Sequence, residues 1–248
     1  MTVKRLQWLL GINADGSFGP ATLAAVKDFQ RKCGLSQDGV VGEKTWKALM
    51  EKSDAVVTGA EYVPIDVHIT PKDRKDADIK YLVIHYTAGS SSMYGRARAE
   101  RETFVAKSAS ADFVVDDKEV VQINPNPRKY YCWAVGDGNG KYGITNGNSI
   151  SIEMCSTLRY GTSPKYPNHA GWSLTQAVQD RTVALAKALM KKYGIRPEHV
   201  VRHYDASHKS CPGLLGWNDG KIHEENGMAT TRNNTSEKWV AFRKRITE

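Results

Sequence analysis

The chain has 248 residues, of which 40% are hydrophobic and 25% charged. That balance excludes wholesale disorder, and no apolar run is long enough to span a bilayer. Lysine and arginine outnumber aspartate and glutamate by 35 to 27, a net charge of +8 that favours polyanionic partners. No dense Arg/Lys stripe, zinc finger or RNA-binding signature accompanies it, so nucleic acid is not the expected partner.

At the N-terminus, Lys4 and Arg5 precede a short apolar run from Leu6 to Leu10 that stops at Gly11. This is too short for the apolar stretch of a secretory signal, so the expectation is a protein made in the cytoplasm without a classical leader. The four cysteines, Cys33, Cys132, Cys155 and Cys211, form no CxxC pair. Each reads as a buried thiol or a metal ligand rather than part of a disulfide framework.

An internal repeat comes first along the chain. Asp15-Gly-Ser-Phe-Gly-Pro-Ala-Thr22 aligns with Asp38-Gly-Val-Val-Gly-Glu-Lys-Thr45, an offset of 23 residues. Each copy has an Asp-Gly turn, a second glycine and a helix start, with Pro20 at a first-turn position in the first copy. Val3, Leu6, Leu9 and Leu10 make one helical stripe; Leu23, Val26 and Phe29 a second; Trp46 and Leu49 a third. The spacing predicts three short helices over residues 3–50. Residues 51–61 read as a linker, and a second domain runs over 62–248.

In that second domain Tyr81-Leu-Val-Ile-His85 reads as a buried strand, and Phe113–Val115 with Val120–Ile123 as a hairpin. Ser149-Ile-Ser-Ile-Glu-Met154 alternates as a half-buried strand does, with Ser149, Ser151 and Glu153 on one face. Ser173-Leu-Thr-Gln176 looks like a capping box opening a long helix through Val178, Leu185 and Leu189 to Gly194. His199-Val-Val-Arg-His203 reads as a short strand ending in histidine, and Trp239, Phe242 and Ile246 as a last amphipathic helix. Polar arms at 91–107 and 157–172 are expected to wrap the site. The expected fold class is α/β, a mixed central sheet flanked by helices, preceded by the small three-helix domain.

His85 and His203 at strand ends, with Cys211 in the loop that follows, are candidate metal ligands, since a zinc site takes imidazole and thiolate groups from rigid platforms. Spacing alone leaves a structural role for each histidine open.

Two resemblances add to this reading. The D-G-x-F-G-x-x-T repeat of residues 2–50 resembles the peptidoglycan-binding domain found beside many wall hydrolases. Val83-Ile-His-Tyr-Thr87, Ser151-Ile-Glu153 and Arg202-His-Tyr-Asp-Ala-Ser-His-Lys-Ser-Cys-Pro-Gly213 resemble, in order, the landmark blocks of the type 2 N-acetylmuramoyl-L-alanine amidases. That resemblance implies Zn²⁺ held by His85, His203 and Cys211, Glu153 as general base and Lys209 as stabiliser of the oxyanion. It further implies hydrolysis of the amide between N-acetylmuramic acid and L-alanine. The implied partners are peptidoglycan and anionic wall polymers. With no classical leader expected, the expected setting is a phage or prophage endolysin held in the host cytoplasm before lysis, with a host autolysin secreted by a non-classical route as the alternative. A stem-peptide peptidase and a non-catalytic peptidoglycan receptor are the alternatives. The chain departs from some relatives in reading Ser110-Ala-Asp112 where those carry an aromatic–His pair, so no catalytic tyrosine is assigned and Asp112 is at most a substrate contact. Tyr86 and Thr87 are expected to shape the site, His208 to be exposed, Cys155 to be a buried thiol, and Asp205 to hold the loop or orient His203.

Overall fold

The computed structural model describes residues 3–52, 61–62, 69–71, 74, 78–88, 97–124, 126–158, 171–214, 216–217, 223–225, 228–230 and 237–248. Of the expected arms at 91–107 and 157–172, residues 91–96 and 159–170 fall outside this set, whereas 100–107 form a helix.

Three helices open the chain: α1 (Val3–Leu10), α2 (Pro20–Lys32) and α3 (Glu43–Lys52). Leu6, Leu9, Val26 and Leu49 form their core, with Leu10, Phe29, Val41 and Trp46 packed against it. Leu23, expected inside, is largely exposed. Pro20 opens α2 directly after Gly19. The two Asp-Gly turns carry Gly16 at φ +84° and Gly39 at φ +75°, the left-handed region that favours glycine.

A buried glutamine explains why the repeat is conserved between the two halves. Gln7 Nε2 donates to Asp15 Oδ1 (2.7 Å), the Ser17 carbonyl (2.9 Å) and Thr22 Oγ1 (2.9 Å), while its Oε1 accepts from Gly16 N (2.8 Å). Gln30 repeats this on Asp38 Oδ1 (2.8 Å), the Val40 carbonyl (3.0 Å), Thr45 Oγ1 (3.2 Å) and Gly39 N (2.9 Å). The Asp, Gly and Thr of the motif are thus the partners of one amide per half. Each network satisfies polar groups that would otherwise be costly to bury.

Of the expected linker, residues 51–52 extend α3, and Glu61 belongs to strand β1 (Glu61–Tyr62). The remaining elements are β2 (Ile69–Pro71), β3 (Tyr81–Tyr86), α4 (Glu100–Lys107), β4 (Phe113–Val115), β5 (Val120–Gln122), β6 (Tyr130–Cys132), β7 (Ser149–Met154), β8 (Thr157–Leu158), β9 (Trp172–Ser173), α5 (Gln176–Tyr193), β10 (Val200–Arg202), α6 (His203–Ser207), β11 (His223–Glu225), β12 (Met228–Thr230) and α7 (Glu237–Thr247). Six strands form one mixed sheet in the order β1-β5-β4-β7-β3-β10. Within it β4, β7, β3 and β10 run parallel, and the expected β4–β5 hairpin is antiparallel.

Leu82, Ile84, Phe113, Ile150 and Ile152 turn to one face, where they pack with Val178, Leu185 and Leu189 of α5 and Trp239, Phe242 and Ile246 of α7. Burying each such side chain contributes about 1.5–3 kcal/mol. The opposite face carries Val114, Val121 and Ile123 against Phe104 of α4. Strand β7 is therefore covered on both faces rather than half-buried, since Ser149 and Ser151 are buried as well as Ile150 and Ile152. Helix α5 is capped two residues later than the capping-box reading. Thr175 Oγ1 accepts from Val178 N, because Ser173 is committed to β9, paired with Thr157. Its other end stops at Gly194, φ +65°, as expected.

Candidate metal centre

Three neighbouring parallel strands, β7, β3 and β10, end at the same edge of the sheet, where open α/β sheets place their ligand sites. His85 is the penultimate residue of β3 and Glu153 the penultimate residue of β7. They are direct register partners, so both side chains leave the sheet on one face. His203 does not end its strand, as its sequence context suggests. β10 stops at Arg202, and His203 is the first residue of α6. That break is built by Asp205, which accepts from the Arg202 backbone N–H (2.7 Å) and from its guanidinium (2.9 Å). The fully buried Arg202 also donates to the Trp217 carbonyl (2.9 Å). After α6, Cys211 is brought back beneath the helix by the Tyr204 N–H to Cys211 carbonyl bond (3.0 Å).

The result is that one donor atom from each of His85, His203 and Cys211 lies within 4.8 Å of the other two, and all three residues are buried. The imidazole centroids are 4.6 Å apart. Each ring has one nitrogen engaged elsewhere: His85 Nε2 with Ser151 Oγ (3.2 Å) and His203 Nε2 with Asp137 Oδ1 (2.8 Å). Nδ1 is left for an ion on both rings. Glu153 Oε1 lies 3.8 Å from His85 Nδ1, and Glu153 Oε2 is buried without a hydrogen-bond partner among the described residues. Lys209 Nζ is 3.7 Å from Asp137 Oδ2.

Burial dominates the electrostatics. It holds His85 well below the usual imidazole range, with His203 and Lys209 adding to the effect. It lowers His203 as well, against the opposing pull of Asp137. Both rings are therefore neutral, the form that lends a lone pair to a metal. Burial and then the Glu153 charge push the Cys211 thiol up, while Lys209 and the Tyr86 backbone N–H act the other way. A bound dication reverses that balance and draws out the thiolate. Glu153 is raised to about 8, first by burial and next by Glu100, with Lys209 and Lys107 opposing.

Two neutral imidazoles, a buried thiol and an unsatisfied carboxylate oxygen beside them fit a tetrahedral zinc site with a position to spare. Tyr86 stays a protonated phenol, held up by burial and by the Cys211 and Glu153 charges, and packs edge-on against Trp172. It shapes the wall of the site. Cys155 is a buried thiol. A cavity of about 600 Å³ lies at the same edge, lined in part by Arg98, Asp116, Glu119, Cys155 and Val178. None of His85, Glu153, His203, Lys209 and Cys211 lines it.

The structure departs from the sequence expectation at Asp112 and His208. Asp112 is buried rather than a substrate contact: it accepts from Ser151 N (2.8 Å) and Asn124 Nδ2 (2.6 Å), anchoring β7 beside β4. Asp205 takes the first of its two expected roles, holding the loop through Arg202, and the partner of His203 is Asp137. His208 is half-buried rather than exposed. Its backbone is left-handed (φ +62°), its ring is stacked on Tyr142 and Tyr204, and its Nδ1 lies 3.1 Å from the Tyr142 hydroxyl.

The chain resembles curated proteins and solved structures. It is 32% identical over 135 residues to the N-acetylmuramoyl-L-alanine amidase XlyB of Bacillus subtilis, a match covering 54% of this chain and 37% of that one. It is 29% identical over 133 residues to the amidase CwlA of the same organism, covering 54% and 43%. The chain thus spans about two fifths of the length of these relatives. The solved structure of PlyL superposes with a TM-score of 0.51 at 22% identity, over 77% of this chain and 98% of that one, and so shares the fold. Residues 3–49 match the family described as a peptidoglycan binding domain. Residues 75–214, more than half of the chain and the stretch that supplies all three donor atoms, match a second family, and by that match the chain belongs to the N-acetylmuramoyl-L-alanine amidases.

Proposed function

We propose that this chain is a zinc-dependent hydrolase that cleaves the amide between N-acetylmuramic acid and the L-alanine of the peptidoglycan stem. The observation that carries the reading is the convergence of the His85, His203 and Cys211 donor atoms within 4.8 Å, with Glu153 in strand register beside them. Zinc bound there would polarise the amide carbonyl and acidify a water molecule. Glu153, raised to about 8, is suited to accept a proton from that water and return it to the departing alanine nitrogen. Lys209 carries its ammonium on the same loop as Cys211, where it opposes negative charge developing on the carbonyl oxygen. Asp137, as a carboxylate, accepts from His203 Nε2 and so keeps its proton there, and Ser151 engages His85 Nε2. The N-terminal module would keep the enzyme on its solid substrate by raising its local concentration. The +8 net charge suits a wall rich in anionic polymers, and no described helix is long and apolar enough to cross a membrane.

Mass spectrometry of purified walls after digestion tests this. Release of stem peptides with a new N-terminal alanine is expected, abolished by a chelator and restored by zinc. Cys211→Ser should abolish release, and Glu153→Gln should keep zinc while losing about 10²–10⁴ in turnover. Cleavage within the stem, or wall clearing that persists in chelator, would overturn the assignment.

A further inference from the structure

Asp137 touches two of the groups assigned to the reaction at once. Its Oδ1 takes the His203 Nε2 proton at 2.8 Å, and its Oδ2 faces Lys209 Nζ at 3.7 Å. We propose that Asp137 is a positioning residue that sets zinc affinity through His203 and the rate of the chemical step through Lys209. This rests on the amidase reading above.

The carboxylate sits on a braced platform. It is the middle residue of a 3₁₀ turn, Gly136–Gly138. On the near side of that turn, the Ala134 and Val135 amides both donate to Asn146 Oδ1 (3.0 and 2.8 Å). Val135 is buried with Val83, Ile144 and Ala206. On the far side, Gly138 lies so close to α6 that a Cβ there would stand 2.3 Å from the Ala206 carbonyl oxygen. The turn and the helix that begins with His203 therefore touch backbone to backbone, and the Asp137–His203 distance is fixed by packing rather than by a flexible loop. The buried Arg74 clamps the flanks of the segment by donating to the Tyr130 and Ser149 carbonyls (both 2.9 Å).

The two histidines are served differently. His85 has a neutral hydroxyl on its second nitrogen, whereas His203 has a carboxylate. An ionised acceptor fixes the Nδ1-lone-pair tautomer and makes the ring a better donor to a cation. The same carboxylate keeps an otherwise mobile lysine, whose side chain is 45% exposed, over the site.

Two variants divide these roles. Asp137→Asn keeps an oxygen for the His203 proton but removes the charge facing Lys209, and Asp137→Ala removes both. Zinc affinity is read by competition with a chromophoric chelator, which requires no turnover, and thermal melting of the metal-free proteins checks that each is folded. Asp137→Ala should weaken zinc by about 10–100-fold. Asp137→Asn should restore most of that affinity, yet keep kcat lowered by about tenfold or more with KM unchanged. In a double-mutant cycle, Asp137→Asn should cost little further kcat once Lys209 is alanine. Wild-type zinc affinity in Asp137→Ala, or full additivity with Lys209→Ala, would overturn the proposal. A wild-type chain that binds no zinc would instead sink the metal reading from which it starts, so the two failures are distinct.

Discussion

At the scale of single residues, the site is arranged by what surrounds each titratable group. Ser151 and Asp137 occupy one nitrogen of each imidazole, so both rings offer the other to the same point. Burial then keeps both neutral. Glu100, on the first turn of α4, shows the same force: burial raises its carboxyl to about 7, with Lys107 opposing. Its folded value exceeds the unfolded value of about 4.3. The stability it contributes is therefore present in full below about pH 4 and lost as pH rises through 7. Glu100→Gln removes the buried charge, so the variant should melt several degrees above wild type at pH 8, with the gap closing toward pH 4. Equal melting temperatures at pH 8 would show that Glu100 is solvated. No sequence pattern marks this residue, because a glutamate in the first turn of a helix is ordinarily a favourable, exposed partner of the helix dipole.

Among the elements, the N-terminal repeat and the long helix show what patterning can and cannot reach. Turns at Asp15-Gly16 and Asp38-Gly39 are legible because positive φ selects glycine. The glutamines that organise them were not, although Gln7 and Gln30 recur at the same offset of 23. Stripe reading seeks apolar residues on a helix and passes over a buried amide. Gln30→Leu should strand the Gly39 N–H and the Asp38 and Thr45 side chains, at a cost on the order of 3 kcal/mol to a module this small. Amide hydrogen exchange on the whole chain should then show residues 3–50 exchanging faster while the central strands stay protected. Unchanged protection in 3–50 would contradict the role given to the amide. The cap of α5 was misplaced for a related reason. Ser173 fits the capping pattern, but it is also a strand residue, and pairing with Thr157 takes it first.

Across the whole molecule, the landmark blocks located His85, Glu153, His203, Lys209 and Cys211, and the alternation of β7 put Glu153 on the right face. Register was not legible. That His85 stands opposite Glu153, with β10 on the far side of β3, follows from the parallel strand order and from no local pattern. Asp137 was hidden for the same reason: it lies 66 residues from His203 in the chain and meets it only once α6 has packed on the Gly138 turn. In the proposed site two imidazoles and one thiolate from three separated segments share one zinc with a coordination position left over. Zinc-edge X-ray absorption on the zinc-loaded chain reads this directly. One sulfur at about 2.3 Å and about three nitrogen or oxygen neighbours near 2.0–2.1 Å are expected, with the sulfur lost in Cys211→Ser. A wild-type spectrum without sulfur, or with more than one, would contradict it.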